Sequence, residues 1–247
     1  MIAQALATEG LWLLFLAAGI AGLVRGFSGF GTAMIYLPLA AQVLPPVWVL
    51  ITLLAMDTVG TIPAVPRAVR DGQPSEVFRL MVGALIAMPV GLFLLVSMPA
   101  EVFRYGVTGL TLVLLVLLVL GMRYHGVVGK KMTFGVGGAG GLLCGAVGLP
   151  GPPVIFFYMA RPLPVSVIRA NVLLYLFLSD ILLAILFWGQ GLVEMLPLII
   201  GLMVMPIYGI SIRLGTLIFD PSRGSVYRWV AYGIIAASAV SGLPIWD

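Results

Sequence analysis

The stretch RGFSGFG, Arg25–Gly31, lies inside an apolar run that extends from Leu11 to Leu44. As one straight helix that run would measure about 50 Å at 1.5 Å per residue. The hydrocarbon core of a bilayer is only ~30 Å thick. An arginine at membrane depth also costs at least ~2.5 kcal/mol on insertion scales, so it needs a wet cavity or a partner. Gly26, Gly29 and Gly31 supply backbone that can turn sharply. The run therefore reads as two shorter helical pieces meeting at this stretch.

Composition places the whole chain in lipid. Of 247 residues, 62% are hydrophobic and 9% charged, with a mean hydropathy of +1.18. A soluble domain carries roughly 25% charged residues. Residues 1–247 read as a single membrane domain built from two halves, approximately 10–123 and 131–247. The net charge of +4 comes from basic residues in short loops, with no contiguous basic face, which argues against nucleic acid. Cys144 is the single cysteine, so there is no internal disulfide and no zinc-type cluster; it reads as a small packed residue. The opening MIAQALATEG has no basic n-region, and Leu11 onward is expected to be a retained membrane segment.

Apolar segments run Leu11–Leu44, Val47–Pro66, Val77–Met98, Val102–Met122, Met132–Ala160, Val165–Trp188, Met195–Ile212 and Tyr227–Leu243. Six fit a single span of ~20 residues. Met132–Ala160, like Leu11–Leu44, is too long, and it carries a second break, GAVGLPGPP, Gly145–Pro153. Gly22, Gly26 and Gly29 recur as Gly141, Gly145 and Gly148, at a constant offset of 119. Ala87-Met88-Pro89 answers Val204-Met205-Pro206, and Val102-Phe103-Arg104-Tyr105 answers Val226-Tyr227-Arg228-Trp229. Pro89 and Pro206 are expected to kink their helices.

Charge then selects the orientation of the halves. If each long segment crosses once, the halves are parallel and six basic residues fall on each side. If each enters and returns, as a hairpin or two short spans, the halves are inverted. Arg67, Arg70, Arg79, Arg123, Lys130, Lys131, Arg161, Arg169, Arg213, Arg223 and Arg228 then share one face, with only Arg104 opposite. The positive-inside bias selects the second arrangement. The expected fold is an all-α polytopic membrane protein of two inverted-topology repeats, each a broken or re-entrant segment plus three transmembrane helices. Both termini are then outside, and Trp12, Trp48, Trp188 and Trp246 fall at outer segment ends, as an aromatic belt would.

Two broken helices at matching points of two half-chains point to the binding site of a membrane transporter. Arg25 offers a fork of donors suited to carboxylate, sulfonate or sulfite oxygens; the alternative is that it snorkels or pairs with Asp57 for structure. Half-helices starting near Thr32 and Pro152 would aim partial positive charge and unpaired N–H groups at mid-membrane. Pro152 and Pro153 suit such a first turn. The expected substrate-binding set is Arg25, Gly26, Ser28, Gly29, Gly31, Thr32, Gly148, Gly151 and Asn171. Gly22, Gly137 and Gly141 are assigned to helix packing. Asp57 and Asp180, the carboxylates inside apolar segments, are candidates for proton or ion coupling. Arg169 reads as an interfacial anchor and His125 as a solvated loop residue.

No HExxH, nucleophile elbow or P-loop is present, so no cofactor, metal or enzymatic activity is expected, and transport would be secondary or passive. A cation transporter, or a proton-coupled carboxylate transporter, using Asp57 and Asp180 is the nearest competing reading; a membrane-embedded enzyme and a non-transporting scaffold are more distant ones.

The segments AGLVRGFSGFGTAMIYLPL and GGLLCGAVGLPGPPVIFFYMARPLPVSVIRAN resemble those of the sulfite exporter TauE/SafE family, small permeases of two related halves. The resemblance covers nearly the whole chain. It implies movement of small anions, especially sulfite and organosulfonates, across a bacterial cytoplasmic (inner) membrane, usually outward. It implies a substrate region at Gly26–Thr32 and Gly148–Pro153, with the lipid bilayer and the small anion as partners and a homodimer left open. Phe27, Phe30 and Thr32 interrupt the more glycine-heavy pattern of the family, which suits a larger organic sulfonate or carboxylate.

Overall fold

In the computed structural model, which describes residues 1–120, 129–159, 161–220 and 224–245, helices dominate and no strand occurs among the described residues. In chain order they are α1 (Ile2–Leu6), α2 (Leu11–Ser28), α3 (Thr32–Ala40), α4 (Pro46–Thr61), a 3-10 turn (Ile62–Ala64), α5 (Val65–Asp71), α6 (Pro74–Ser97), α7 (Ala100–Val119), α8 (Lys130–Val147), α9 (Gly151–Met159), α10 (Val165–Gly189), α11 (Met195–Ile218) and α12 (Gly224–Ser241). Arg123, His125, Arg223 and Trp246 lie outside the described residues.

Both over-long segments divide where glycine permits. After α2 the chain passes through Gly29 at φ 82° and Gly31 at φ 99°, the left-handed region that side chains with a Cβ avoid. After α8 it passes through Gly148 at φ 73°. Gly148 N–H bonds Cys144 O, the 5→1 bond of an αL cap, and Leu149 N–H bonds Leu143 O, which together close the end of α8. Pro152 and Pro153 then sit in the first turn of α9, where a missing N–H is tolerated. A Cβ on Gly140 would lie 3.0 Å from Pro150 O, so the chain doubles back along α8 before α9 begins.

Among the described residues, six helical stretches are long and apolar enough to cross a membrane: Leu11–Ser28, Pro46–Asp71, Pro74–Ser97, Ala100–Val119, Val165–Gly189 and Met195–Ile218. Large apolar side chains such as Phe78, Ile86, Phe93, Trp188 and Leu217 are exposed, the reverse of a soluble surface and the expected face toward lipid. The chain is a multi-pass membrane protein.

The chain divides into two units. The first comprises Met1–Gly60, Pro99–Val119 and Val193–Asp247; the second comprises Thr61–Met98 and Leu120–Leu192. In the first, α2 packs along α11. A Cβ on Gly22 would lie 2.5 Å from Tyr208 O, and one on Gly26 would overlap Ile212 O and Gly215. In the second, α8 packs along α6, with Gly137 against Leu80, Gly141 against Ala84 and Gly145 against Met88 and Leu92. The same device, a glycine stripe that admits a neighbouring backbone, is thus used twice. It accounts for Gly22, Gly137 and Gly141 as read from sequence, and it extends to Gly26 and Gly145.

Candidate functional site

In the first unit four polar side chains converge below the first break. Arg25, near the end of α2, directs Nη1 at both oxygens of Asp57 on α4, at 2.5 and 2.7 Å. The two side chains are only 14% and 11% exposed. Arg25 also donates to Thr32 Oγ1 at 3.2 Å, where α3 begins. Tyr208 of α11 donates its hydroxyl proton to Asp57 Oδ1 at 2.5 Å. That leaves Thr32 as the donor in its 2.9 Å bond to the Tyr208 oxygen. The four groups form a closed ring, Arg25 to Thr32 to Tyr208 to Asp57 and back.

Local sequence explains each placement. The close approach of α2 and α11 at Gly22 brings Tyr208 beside Arg25. Gly60 leaves space for the Tyr208 ring, since a Cβ there would meet it at 3.0 Å. The left-handed Gly31 starts α3, which sets Thr32 facing back toward Arg25. Ser28 serves the break itself. Its Oγ lies 2.7 Å from Val24 O and 2.8 Å from Phe30 O and accepts from Phe30 N–H at 3.3 Å.

The ring is electrically compensated. Arg25 contributes one positive charge and Asp57 one negative charge, with two hydroxyls tying them together. Removing one partner of such a buried pair costs roughly 3–5 kcal/mol, because the other is left without compensation. Asp57 holds Nη1, so any external anion would compete with this carboxylate for that edge of the guanidinium.

The second unit holds a different cluster. Arg161, just beyond α9, pairs with Glu76 in the first turn of α6, and its guanidinium lies 5.5 Å from the centre of the Phe157 ring. The Tyr158 hydroxyl is within electrostatic reach of both charges and faces Asn171 of α10. Asn171 Oδ1 accepts from the Gln73 N–H at 2.6 Å, which ties α10 to the turn before α6. Glu76 Oε2, Tyr158 OH and Asn171 Nδ2 are buried together here, with the Tyr158 hydroxyl in reach of both neighbours.

The expected site residues are therefore divided between the two units. Arg25, Thr32 and Asp57 come together, and Gly29, Gly31 and Ser28 shape the turn beside them. Gly26 lies within α2 against α11. Gly148, Gly151, Asn171 and Asp180 belong to the second unit. Tyr208 was not singled out from sequence; its only signal is a tyrosine two residues after Pro206 in an apolar helix. Arg161, read as a loop cation, has Glu76 as its partner, and Arg169 is exposed. Among the described residues no group of three or more His, Cys, Asp or Glu could hold a metal ion.

Comparison with known proteins gives one similarity. The family model described as sulfite exporter TauE/SafE matches residues 14–242, which includes both breaks and both clusters. No curated protein and no solved structure matches the chain.

Proposed function

The chain belongs to the sulfite exporter TauE/SafE family, a family of membrane transporters, and from that membership and the Arg25 ring we propose that it carries small oxyanions, sulfite or an organosulfonate, across a bacterial inner membrane. The reading is alternating access around the first break. Arg25 is the anion ligand, assisted by Thr32 and by the first backbone N–H groups of α3, whose helix end favours negative charge. Asp57 occupies the guanidinium when no substrate is present. Uptake of a proton by Asp57 frees Arg25 for the incoming anion, and loss of that proton returns the carboxylate and expels the anion. Binding and proton movement are thereby linked at one side chain.

The observation that carries this reading is the contact of Arg25 Nη1 with both Asp57 oxygens directly beside a glycine break. The same contact speaks against Asp57 as a cation ligand, because its two oxygens already face a guanidinium. The test is a ligand panel on purified protein, with sulfite, sulfoacetate, taurine, sulfate and simple carboxylates, scored by thermal stabilisation and by flux into proteoliposomes. Sulfite or a sulfonate should stabilise the native protein, and Arg25→Ala should abolish both stabilisation and flux while the protein still inserts. Undiminished flux in Arg25→Ala would remove this residue from the site.

A further inference from the structure

In the second unit α5 lies along α10, and the two helices border two hollows of opposite character. The first, about 310 Å³, is lined by Arg67 and Asp71 of α5 and by Ser166 and Arg169 of α10, with alanines between them. The second, about 400 Å³, is lined by apolar side chains alone, among them Val65 and Val69 of α5, Phe78 and Met81 of α6, and Phe177 and Ile181 of α10. Val69, Phe78 and Ile185 are exposed, so this groove opens outward. Along α10 the polar hollow takes Ser166 to Leu173 and the apolar groove takes Leu174 to Ile185. One helix thus passes from a cationic lining to an apolar one. The apolar stretch is about 16 Å long at 1.5 Å per residue. One leaflet of hydrocarbon is about 15 Å deep, half of the bilayer core.

Charge decides what fills the pair of hollows. Arg67 Nε lies 3.2 Å from Asp71 Oδ2 and Arg70 Nε 3.9 Å from Asp71 Oδ1, so two guanidinium groups share one carboxylate. Their side chains are 82% and 79% exposed. Ion pairs this exposed contribute little, and a phosphate can replace the carboxylate at small cost. Arg169, also exposed, adds a further positive charge at the same hollow. A second copy of the chain packed through this same face would bring like charges toward each other. We propose that the two hollows form a binding site for one anionic phospholipid, with its phosphate against Arg67, Arg70 and Arg169, Ser166 as a hydroxyl donor, and an acyl chain along α10 in the groove. Each basic residue near the membrane surface is worth about fivefold in affinity for anionic lipid. The lipid holds α5, a seven-residue helix too short to be stable alone, at the level of the headgroups. None of Arg25, Thr32, Asp57 or Tyr208 takes part, so the site stands apart from the transport reading.

Native mass spectrometry of the full chain tests the site, after titration in detergent with phosphatidylglycerol or with phosphatidylcholine of the same acyl chains. One phosphatidylglycerol should be retained, at least about tenfold more tightly than phosphatidylcholine. Arg67→Gln with Arg70→Gln should lower that preference by about tenfold or more. Arg213→Gln with Arg228→Gln, at exposed arginines of the first unit, should leave it within about twofold. Leu178→Trp, which fills the groove and keeps every charge, should weaken the retention of both lipids. If that variant does not fold, the arginine pair, at exposed positions, carries the test. Equal retention of the two lipids, or equal losses from the two arginine pairs, overturns the site. Displacement of the bound lipid by an equal concentration of glycerol phosphate would mean a phosphate site without a tail groove. A dimer in place of bound lipid would mean that a second copy fills the groove, and either result overturns the proposal. A chain that moves no anion yet retains the lipid would sink the transport reading alone.

Discussion

At the scale of single residues, the informative fact is that an arginine near the end of an apolar helix is paired with a carboxylate thirty-two positions away, and two hydroxyls join the pair. The pair alone would satisfy charge. The hydroxyls add direction: Tyr208 holds the carboxylate and Thr32 holds Tyr208, so each fixes the next. Groups joined in one network respond together when one is removed. A double-mutant cycle on Tyr208→Phe and Thr32→Val checks this by denaturant or thermal unfolding in detergent. Tyr208→Phe alone should cost about 1.5–3 kcal/mol, since it deletes a hydrogen bond to a charged group. The two changes should couple by at least ~0.5 kcal/mol. Strict additivity would mean that the four side chains merely adjoin one another.

At the scale of elements, the placement of the ring depends on how closely α2 approaches α11. Gly26 faces Ile212 O and Gly215, whereas a Cβ on Gly209 of α11 would meet nothing within 4 Å. Gly26→Leu should therefore push the two helices apart and carry Arg25 away from Tyr208, at a cost of about 1–3 kcal/mol of overpacking. Gly209→Leu should leave the melting temperature within about a degree, at the usual ~2–4 °C per kcal/mol for a chain of this size. Equal effects of the two substitutions would show that backbone approach at Gly26 is unimportant. The breaks themselves were legible in sequence, because a 34-residue apolar run is too long for one span and Gly29, Gly31 and Gly148 offer the turn. The ring was legible only in part. Arg25 and Asp57 stand out as charges in apolar segments, but Tyr208 joins them from 151 residues beyond Asp57, and nothing local to its helix marks it. Glu76 was hidden for another reason: an acid in the first turn of a helix is the ordinary complement to the helix dipole, so its pairing with Arg161 becomes visible only once α9 returns beside α6.

At the scale of the whole molecule, each unit joins a broken helix of one half of the chain to the proline-containing helix of the other: α2 with α11, and α8 with α6. A duplicated module that exchanges one helix would produce this reciprocal pairing whichever way its copies face, so packing is compatible with two related halves and leaves orientation to charge. Inversion puts eleven basic residues on one face against Arg104 on the other; parallel copies would divide them evenly. A membrane that sorts loops by Lys and Arg favours the first distribution. The decisive positions are Ser75 at the start of α6 and Ser225 at the start of α12, both exposed, with Gln190 between α10 and α11 as the reference for the opposite face. With Cys144→Ser as background, a membrane-impermeant maleimide added to intact cells should label Gln190→Cys and spare both Ser75→Cys and Ser225→Cys until the membrane is opened. The two serine positions lie in different halves of the chain, so inversion requires them to behave alike and parallel copies require them to differ. Labelling of one and not the other in intact cells would mean that the halves run the same way, and the two glycine breaks would then no longer be related by an axis in the membrane plane.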